Sequence, residues 1–579
     1  MKAIQQEVRR RTLSPKGDRE AVLRLQSGLA ATAARKPRWR FYNLYPVLGR
    51  RAWLEEALDA VLDNAGAETP GVDGMRGSVL RTPATRRLFL QKLQRELKRQ
   101  RYRPSPVLRV YIPKPSGDKR PLGIPTIRDR VVQMALKMLL EPIFEADFVP
   151  NSNGFRPERS TLECVLPTYR YGDQIRQYNW VIEADIKGCF DNINQRILLK
   201  TVGRRIADKK ILKLIKRFLR ARVVERGVRT SIARKGTPQG GVISPFLSNV
   251  YLHRFDRFWW KNWGELTRVQ RRQQTRQQQA NCVLFRYADD FVLMAKGTET
   301  QTEQVKDTIT QYFWEKLRLE LNPEKTRIVP LSKGFSFLGF RIQKVRARHG
   351  EYIRIRPTQK NVMRLVDKLR RMLGKHANSD DPMMKLLSLN RVLRGWGNYY
   401  KAVNAQQQFR TIDYIAKEQY FQWMARKTET TKEQQRAKGA RYKREDLEVT
   451  LLELSSLKSE RTSMDHKRVW KYRHIGNPYL SDTVLNKIIE EEQPIVNERE
   501  IHPLAKEYNK IYLENRMKRF RVDGWKCLLC GSRANLIAHH VERVPKGDFD
   551  PVTVHRVENL RTVCTACHKK IEKQPSLLQ

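Results

Sequence analysis

Two groups of side chains in this sequence could do chemistry. Asp185 closes the short apolar run Trp180-Val-Ile-Glu-Ala-Asp185, and Asp289-Asp290 lie at the centre of Cys282-Val-Leu-Phe-Arg-Tyr-Ala-Asp-Asp-Phe-Val-Leu-Met294, which reads as a hairpin with its acids at the tip. Carboxylates carried on strand ends from distant parts of a chain can hold two Mg2+ ions about 3.5–4 Å apart, which steady the attacking and leaving oxygens of an in-line phosphoryl transfer. Mg2+ takes hard oxygen ligands and keeps several waters, so few acids suffice. Taken alone, an Asp-Asp pair at a hairpin tip is more often an ordinary turn.

The second group is near the C-terminus. Cys527-x2-Cys530 and Cys564-x2-Cys567 supply four thiolates, enough to close a tetrahedral zinc site and leave no position for a substrate, so the predicted zinc is structural. The remaining cysteines, Cys164, Cys189 and Cys282, are scattered singly, which argues against a disulfide framework. His539-His540, Asn559 and His568 lie within or directly after the cysteine staple. Neutral imidazole can act as a base or as a metal ligand, but without the cysteines this His-His pair would read as two surface residues.

Positioning these groups requires a mixed α+β framework. From Trp53 to about Arg101 the spacing predicts helices, with Leu54, Leu58, Val61 and Leu62 on one face, Leu88, Leu93 and Leu97 on another, and Thr69–Gly74 as a turn between them. Val107 to Ile112 and Arg120 to Pro125 read as two strands joined by a turn at Pro113–Asp118, and Val131 to Phe144 as a buried helix. Phe335 to Pro357 alternates as a hairpin around His349-Gly350, and Met363 to Phe421 returns to helical spacing. Arg268 to Gln279 reads as an exposed insertion, a solvated helix face or an RNA contact.

Lys+Arg 114 against Asp+Glu 61 leaves a formal charge of +53, spread along the chain rather than held in one tail. So large an excess repels itself and points to a polyanion, nucleic acid before a membrane surface. The start of the chain is basic with no apolar stretch behind it, and no run approaches roughly 18 uncharged apolar residues. A soluble, cytoplasmic protein of several domains that makes no membrane contact is the expectation.

Tyr287-Ala-Asp-Asp290 resembles the YADD signature of reverse transcriptases, and Asp185-Ile-Lys-Gly-Cys-Phe-Asp-Asn-Ile193 resembles their first acidic motif. Gly236-Thr-Pro-Gln-Gly-Gly-Val-Ile-Ser-Pro-Phe-Leu-Ser-Asn249 is similar to the motif between them, and Leu321–Thr326 and Phe337–Phe340 to the two that follow. With Tyr111–Lys114, Gly154-Phe-Arg-Pro157 and Arg394-Gly-Trp-Gly-Asn-Tyr-Tyr400, the pattern resembles group II intron-encoded proteins along nearly the whole chain. The C-terminal Cys/His pattern resembles the ββα-metal motif of HNH nucleases.

The resemblance implies a right-hand polymerase with fingers and an antiparallel palm sheet, an α-helical thumb, and a small zinc-stapled HNH domain. Its parts would be residues 1–105 (N-terminal extension and start of the fingers), 106–356 (fingers and palm), 357–435 (X or maturase thumb), 436–520 (DNA-binding region) and 521–579 (HNH endonuclease). It implies that Asp185, Asp289 and Asp290 hold two Mg2+, Asp290 less directly. Lys114, Arg120 and Gln239 would contact the incoming deoxynucleoside triphosphate, Phe190 would exclude a ribose 2′-hydroxyl, and Lys325 would give a proton to pyrophosphate. His540 would be the nuclease base and Asn559 its orienting group, with His539 and His568 on a further divalent ion, Mg2+ in the first instance.

Arg391, Arg394 and Lys401 beside Trp396, Tyr399 and Tyr400 combine cations with stacking faces, which suits RNA, although periodicity alone favours packed aromatics. Arg9, Arg10, Arg11, Arg35, Lys36, Arg38, Trp39 and Arg40 could extend the same surface. The implied partners are group II intron RNA and double-stranded target DNA, and the implied activity is target-primed reverse transcription with assistance to splicing. The rival readings are a splicing-only RNA chaperone and a host-adapted reverse transcriptase in defence or diversification.

Overall fold

The computed structural model describes residues 16–113, 119–172, 177–225, 228–229, 235–238, 240–347, 350–377, 380–444, 447–457 and 477–480. In the C-terminal part it describes 515, 519–520, 522–523, 527–530, 536–540, 560–564 and 567.

The expected α+β character is present. Helices Lys16–Arg35, Arg51–Leu62 and Pro83–Lys98 precede strands β1 (Val107–Pro113) and β2 (Lys119–Ile124), which pair antiparallel; the long helix Ile127–Glu145 follows. Thr126 caps that helix by accepting from the Asp129 amide. Strand β3 (Trp180–Ala184), the short helix Cys189–Asn192, and helices Gln195–Val202 and Lys209–Leu219 lead to β4 (Val223–Glu225) and β5 (Val228–Arg229). Strand β4 lies parallel to β1, giving a first sheet in the order β2-β1-β4-β5.

Helix Ser244–Trp259 precedes β6 (Asn281–Tyr287) and β7 (Asp290–Lys296), and β8 (Arg327–Pro330) completes a second sheet in the order β6-β7-β3-β8. This sheet is covered on both faces, as its nearly continuous apolar strands require. Ile182, Leu284 and Leu293 join the core built with the N-terminal helices, whereas Val181, Val283, Phe285, Val292 and Met294 join a second core. The two-residue side-chain period of one sheet thus ties two parts of the molecule together.

The second core continues into β9 (Phe335–Phe337), β10 (Phe340–Ala347) and β11 (Gly350–Pro357), and into helices Gln359–Met372, Pro382–Tyr400 and Gln406–Thr428. Strands β12 (Arg441–Arg444) and β13 (Leu447–Thr450) close against these helices. Asn390 donates to the Thr450 carbonyl (2.8 Å) and accepts from the Leu452 amide (2.7 Å), and Asp413 accepts from the amides of Leu454 and Ser455. The expected boundary at 436 therefore falls inside a packed unit that runs to Leu457.

One detail differs from the sequence reading. Leu88, expected on one face with Leu93 and Leu97, is 67% exposed, and Leu90, one helical turn before Leu93, is buried with them instead. Arg268–Arg276 is a helix with no buried residue, started by a reciprocal capping box between Thr267 and Gln270. No helix among the described residues is long and apolar enough to cross a membrane.

Candidate active site and C-terminal cysteine cluster

The carboxylates converge as their strands dictate. Glu183 on β3 faces Val292 on β7, so Asp185, just beyond β3, lies beside the β6–β7 turn that carries Asp289 and Asp290. A cleft of about 370 Å³ is lined by Asp185, Asp290, Glu324, Lys325 and the Phe337-Leu338 edge. Lys325 donates to Asp185 Oδ2 at 3.1 Å, and the loop that bears it is held by the Asn322 amide on the Asp185 carbonyl (2.7 Å).

Burial raises the Asp289 carboxyl above its ordinary range; Arg120 opposes the shift and Asp185 adds to it. Asp290 is pushed up to about 6, first by loss of hydration and then by the charges of Asp289 and Asp185, with Arg120 and Lys325 opposing. Crowded carboxylates of this kind favour a bound cation, and the Lys325 ammonium already provides one positive group there. Arg120, exposed on β2, thus lies within electrostatic reach of both turn acids.

The sequence reading missed the group that fixes the turn. Arg286 is fully buried and donates from Nη1 to the Ala288 carbonyl (2.6 Å) and to Asn249 Oδ1 (3.1 Å). Its Nε and Nη2 form a fork on Asp256 Oδ1 and Oδ2 at 2.7 and 2.5 Å, and Nη2 also reaches Ser152 Oγ (2.5 Å). Ala288 has φ +60°, an uncommon conformation for a residue with a Cβ, so its carbonyl needs such a hold. Asn249 donates onward to the Gly154 carbonyl (2.6 Å), and a Cβ at Gly154 would stand 2.2 Å from the Ala288 nitrogen. The one available sequence signal was an arginine within the apolar run of β6.

Phe190 is half-buried in Cys189–Asn192, and its carbonyl accepts from the Thr237 amide (2.8 Å). Gly236, at φ +82°, leaves room for this approach: a Cβ there would lie 2.8 Å from the Asp191 carbonyl. Lys114 and Gln239 lie outside the described residues.

The aromatic residues expected to stack on RNA are turned mainly inward. Tyr400 is 2% exposed and donates to the Gly339 carbonyl, Tyr399 donates to the Leu338 carbonyl, and both rings pack on Phe340. Trp396 is half-buried against Tyr400 and Phe409. Packing against the Phe337–Phe340 turn corrects the stacking assignment for Tyr400. Arg391 and Arg394 remain on the exposed face, with Lys401 partly exposed. Arg35, Lys36, Arg38, Trp39 and Arg40 are all exposed, while Arg9, Arg10 and Arg11 lie outside the described residues.

In the C-terminal part, β14 (Leu536–His540) pairs antiparallel with β15 (Leu560–Cys564). Asp523, paired with Arg519 at 2.7 Å, accepts from the Thr562 amide, and the Leu528 amide donates to the Thr562 carbonyl. These contacts bring the Cys527–Cys530 turn to β15. The sulfurs of Cys527, Cys530 and Cys567 lie within 4.8 Å of one another, a spacing that fits a shared metal ion. Backbone pairing places His539 and His540 on β14; their side chains, the Cys564 side chain, Asn559 and His568 lie outside the described residues.

Comparison with known proteins adds two family matches. The model described as reverse transcriptase (RNA-dependent DNA polymerase) matches residues 112–342, and that of the group II intron, maturase-specific domain, matches 362–442. Protein YkfC of Escherichia coli (strain K12) is 40% identical over 352 residues, 57% of this chain and 90% of that protein. The group II intron-encoded protein LtrA of Lactococcus lactis subsp. cremoris is 30% identical over 451 residues, 65% of this chain and 72% of LtrA.

Proposed function

We propose, from the premise that this chain belongs to the group II intron-encoded reverse transcriptase and maturase family, that it copies intron RNA into DNA at Asp185, Asp289 and Asp290. The observation that carries the assignment is the crowding of these carboxylates: burial, and then the charges of Asp289 and Asp185, push Asp290 up to about 6, while the positive charges of Arg120 and Lys325 oppose the shift.

Asp185 and Asp289 would hold two Mg2+ ions, with Asp290 less directly involved; the ions supply charge stabilisation for phosphoryl transfer when bound. Arg120, whose charge is felt by both turn acids, would grip the triphosphate, with Lys114 and Gln239 assigned to the same substrate. The Phe190 ring would close the sugar pocket against a 2′-hydroxyl. Lys325, which donates to Asp185 Oδ2, would pass a proton to departing pyrophosphate.

Arg391, Arg394 and Lys401 would contact intron RNA and help it reach its splicing-active fold, while the RNA performs the splicing chemistry. A structural Zn2+ on Cys527, Cys530, Cys564 and Cys567 would staple an HNH module. In it His540 would activate water, Asn559 would orient the site, and His539 and His568 would hold a divalent ion, so that one target DNA strand is nicked to prime copying. The spacing of Cys527, Cys530 and Cys567 supports the shared metal ion of that reading.

RNA-templated primer extension tests the sugar pocket: Phe190→Val should incorporate ribonucleotides that the wild type rejects. Strand nicking by His540→Ala tests the nuclease, and retained cleavage would remove the base assignment.

A further inference from the structure

The helix Lys209–Leu219 buries Ile211, Leu214, Ile215, Phe218 and Leu219 and carries no acidic residue. Lys209, Lys210, Lys213 and Lys216 are exposed on its other side. Beyond its C-terminal end a cleft of about 480 Å³ is lined by Arg103, Lys213, Lys216, Arg217, Arg220 and Arg222, together with Pro104, Pro106 and Ala221. No acidic side chain lines it. A solvated basic helix face needs no concavity and disperses its charges in water; here cations from separate segments face one space. The Arg217 guanidinium is held below its ordinary pKa, first by burial and then by the Arg103 charge, so the two repel across the cleft.

The cleft also has a direction. Ala221 is shared with a neighbouring, smaller cavity lined by Arg109, Asp191, Lys235 and Gly236–Pro238. Those residues include the loop whose Thr237 and Gly236 amides donate to the Phe190 and Ile193 carbonyls. A polyanion lying in the basic cleft therefore continues toward the nucleotide-selecting end of the polymerase centre. From Lys209 to Lys216 the helix rises about 10 Å, enough to follow about three phosphates of one strand at about 3.4 Å axial rise each.

We propose that this cleft is a binding site for the sugar-phosphate backbone of the RNA strand being copied, on its unpaired side ahead of the polymerase centre. The site reads phosphates and not bases: its donors are flexible cations, and its apolar lining is proline and alanine. This inference rests on the polymerase reading above and adds to it an RNA contact separate from the helical 359–428 region.

The test uses the full-length chain with Lys213→Gln, Lys216→Gln, Arg220→Gln and Arg222→Gln combined. All four side chains are exposed, so the fold is expected to persist, and melting temperature checks this. Fluorescence anisotropy measures binding to two DNA-primed RNA templates, one ending at the templating base and one with a long unpaired 5′ extension. A control removes the same charge from the exposed helix surface around Pro83–Lys98: Arg87→Gln, Lys92→Gln, Arg95→Gln and Arg99→Gln.

The expected result is about tenfold or greater weakening on the extended template, with the slope of log affinity against log salt smaller by about 3. The blunt template and the control variant should bind as the wild type does, and Lys213→Arg with Lys216→Arg should retain extended-template binding. Equal loss on both templates, equal loss in the control, or no loss would each overturn the proposal. Binding reads out whether or not DNA is made, so failure of the polymerase reading is a separate result.

Discussion

Replacing Arg286 with Met removes a buried cation and leaves Asp256, also fully buried, without its guanidinium fork. Breaking a buried ion pair in this way costs about 3–5 kcal/mol, a large share of the roughly 5–15 kcal/mol available to a domain. Loss of activity in that single variant would therefore say little about the turn. Adding Asp256→Leu removes the stranded charge, and replacement of a whole buried pair by apolar groups is often close to neutral. Thermal unfolding of the double variant should recover most of the loss.

RNA-templated primer extension should not recover. The Ala288 carbonyl still lacks its 2.6 Å donor, the φ +60° turn is no longer held, and Asp289 and Asp290 follow it directly. A misplacement of about 1 Å at reacting groups can cost about 100-fold, so kcat should stay about two orders of magnitude low. KM for the nucleotide should change little, because Arg120 and Phe190 are untouched, while the Mg2+ concentration for half-maximal activity should rise. If activity returns together with stability in the double variant, Arg286 acts through folding alone and the positioning argument is refuted.

Two further predictions follow from the same geometry. Asp290 is raised to about 6, above its ordinary value, so between the two values the native state binds the extra proton. Without divalent ions, stability should therefore fall as pH rises toward and through about 6, more in wild type than in Asp290→Asn, and polymerase activity should rise over the same interval; a pH-independent difference between the two melting temperatures would contradict the assignment. Metal analysis and unfolding of Cys527→Ser should show lost zinc and a destabilised C-terminal module with primer extension retained, whereas full zinc content would exclude Cys527 as a ligand.

Much of this was legible from sequence because it is local. Apolar runs ending in acids become β3 and the β6–β7 turn, and the Cys-x2-Cys turn packs against β15 where its sulfurs can meet Cys567. The Arg286 clamp was not legible in the same way, since Asp256, Asn249 and Ser152 lie 30, 37 and 134 residues away and only folding selects them. Tyr400 shows the converse difficulty: an aromatic beside cations suits RNA or a packed helix equally well, and the neighbouring Phe340 turn decides for packing. The extension of the helical region to Leu457 was hidden because Asn390 and Asp413, which cap it, are polar residues on distant helices.

The most direct measurement is primer extension on an RNA template with deoxynucleotides and Mg2+, comparing wild type with Asp289→Ala at equal RNA occupancy. DNA synthesis by the wild type, with loss of at least about 100-fold in the variant and unchanged RNA binding, is the predicted result. Equal synthesis by both proteins, or none by the wild type even when the intron RNA is supplied, would contradict the account.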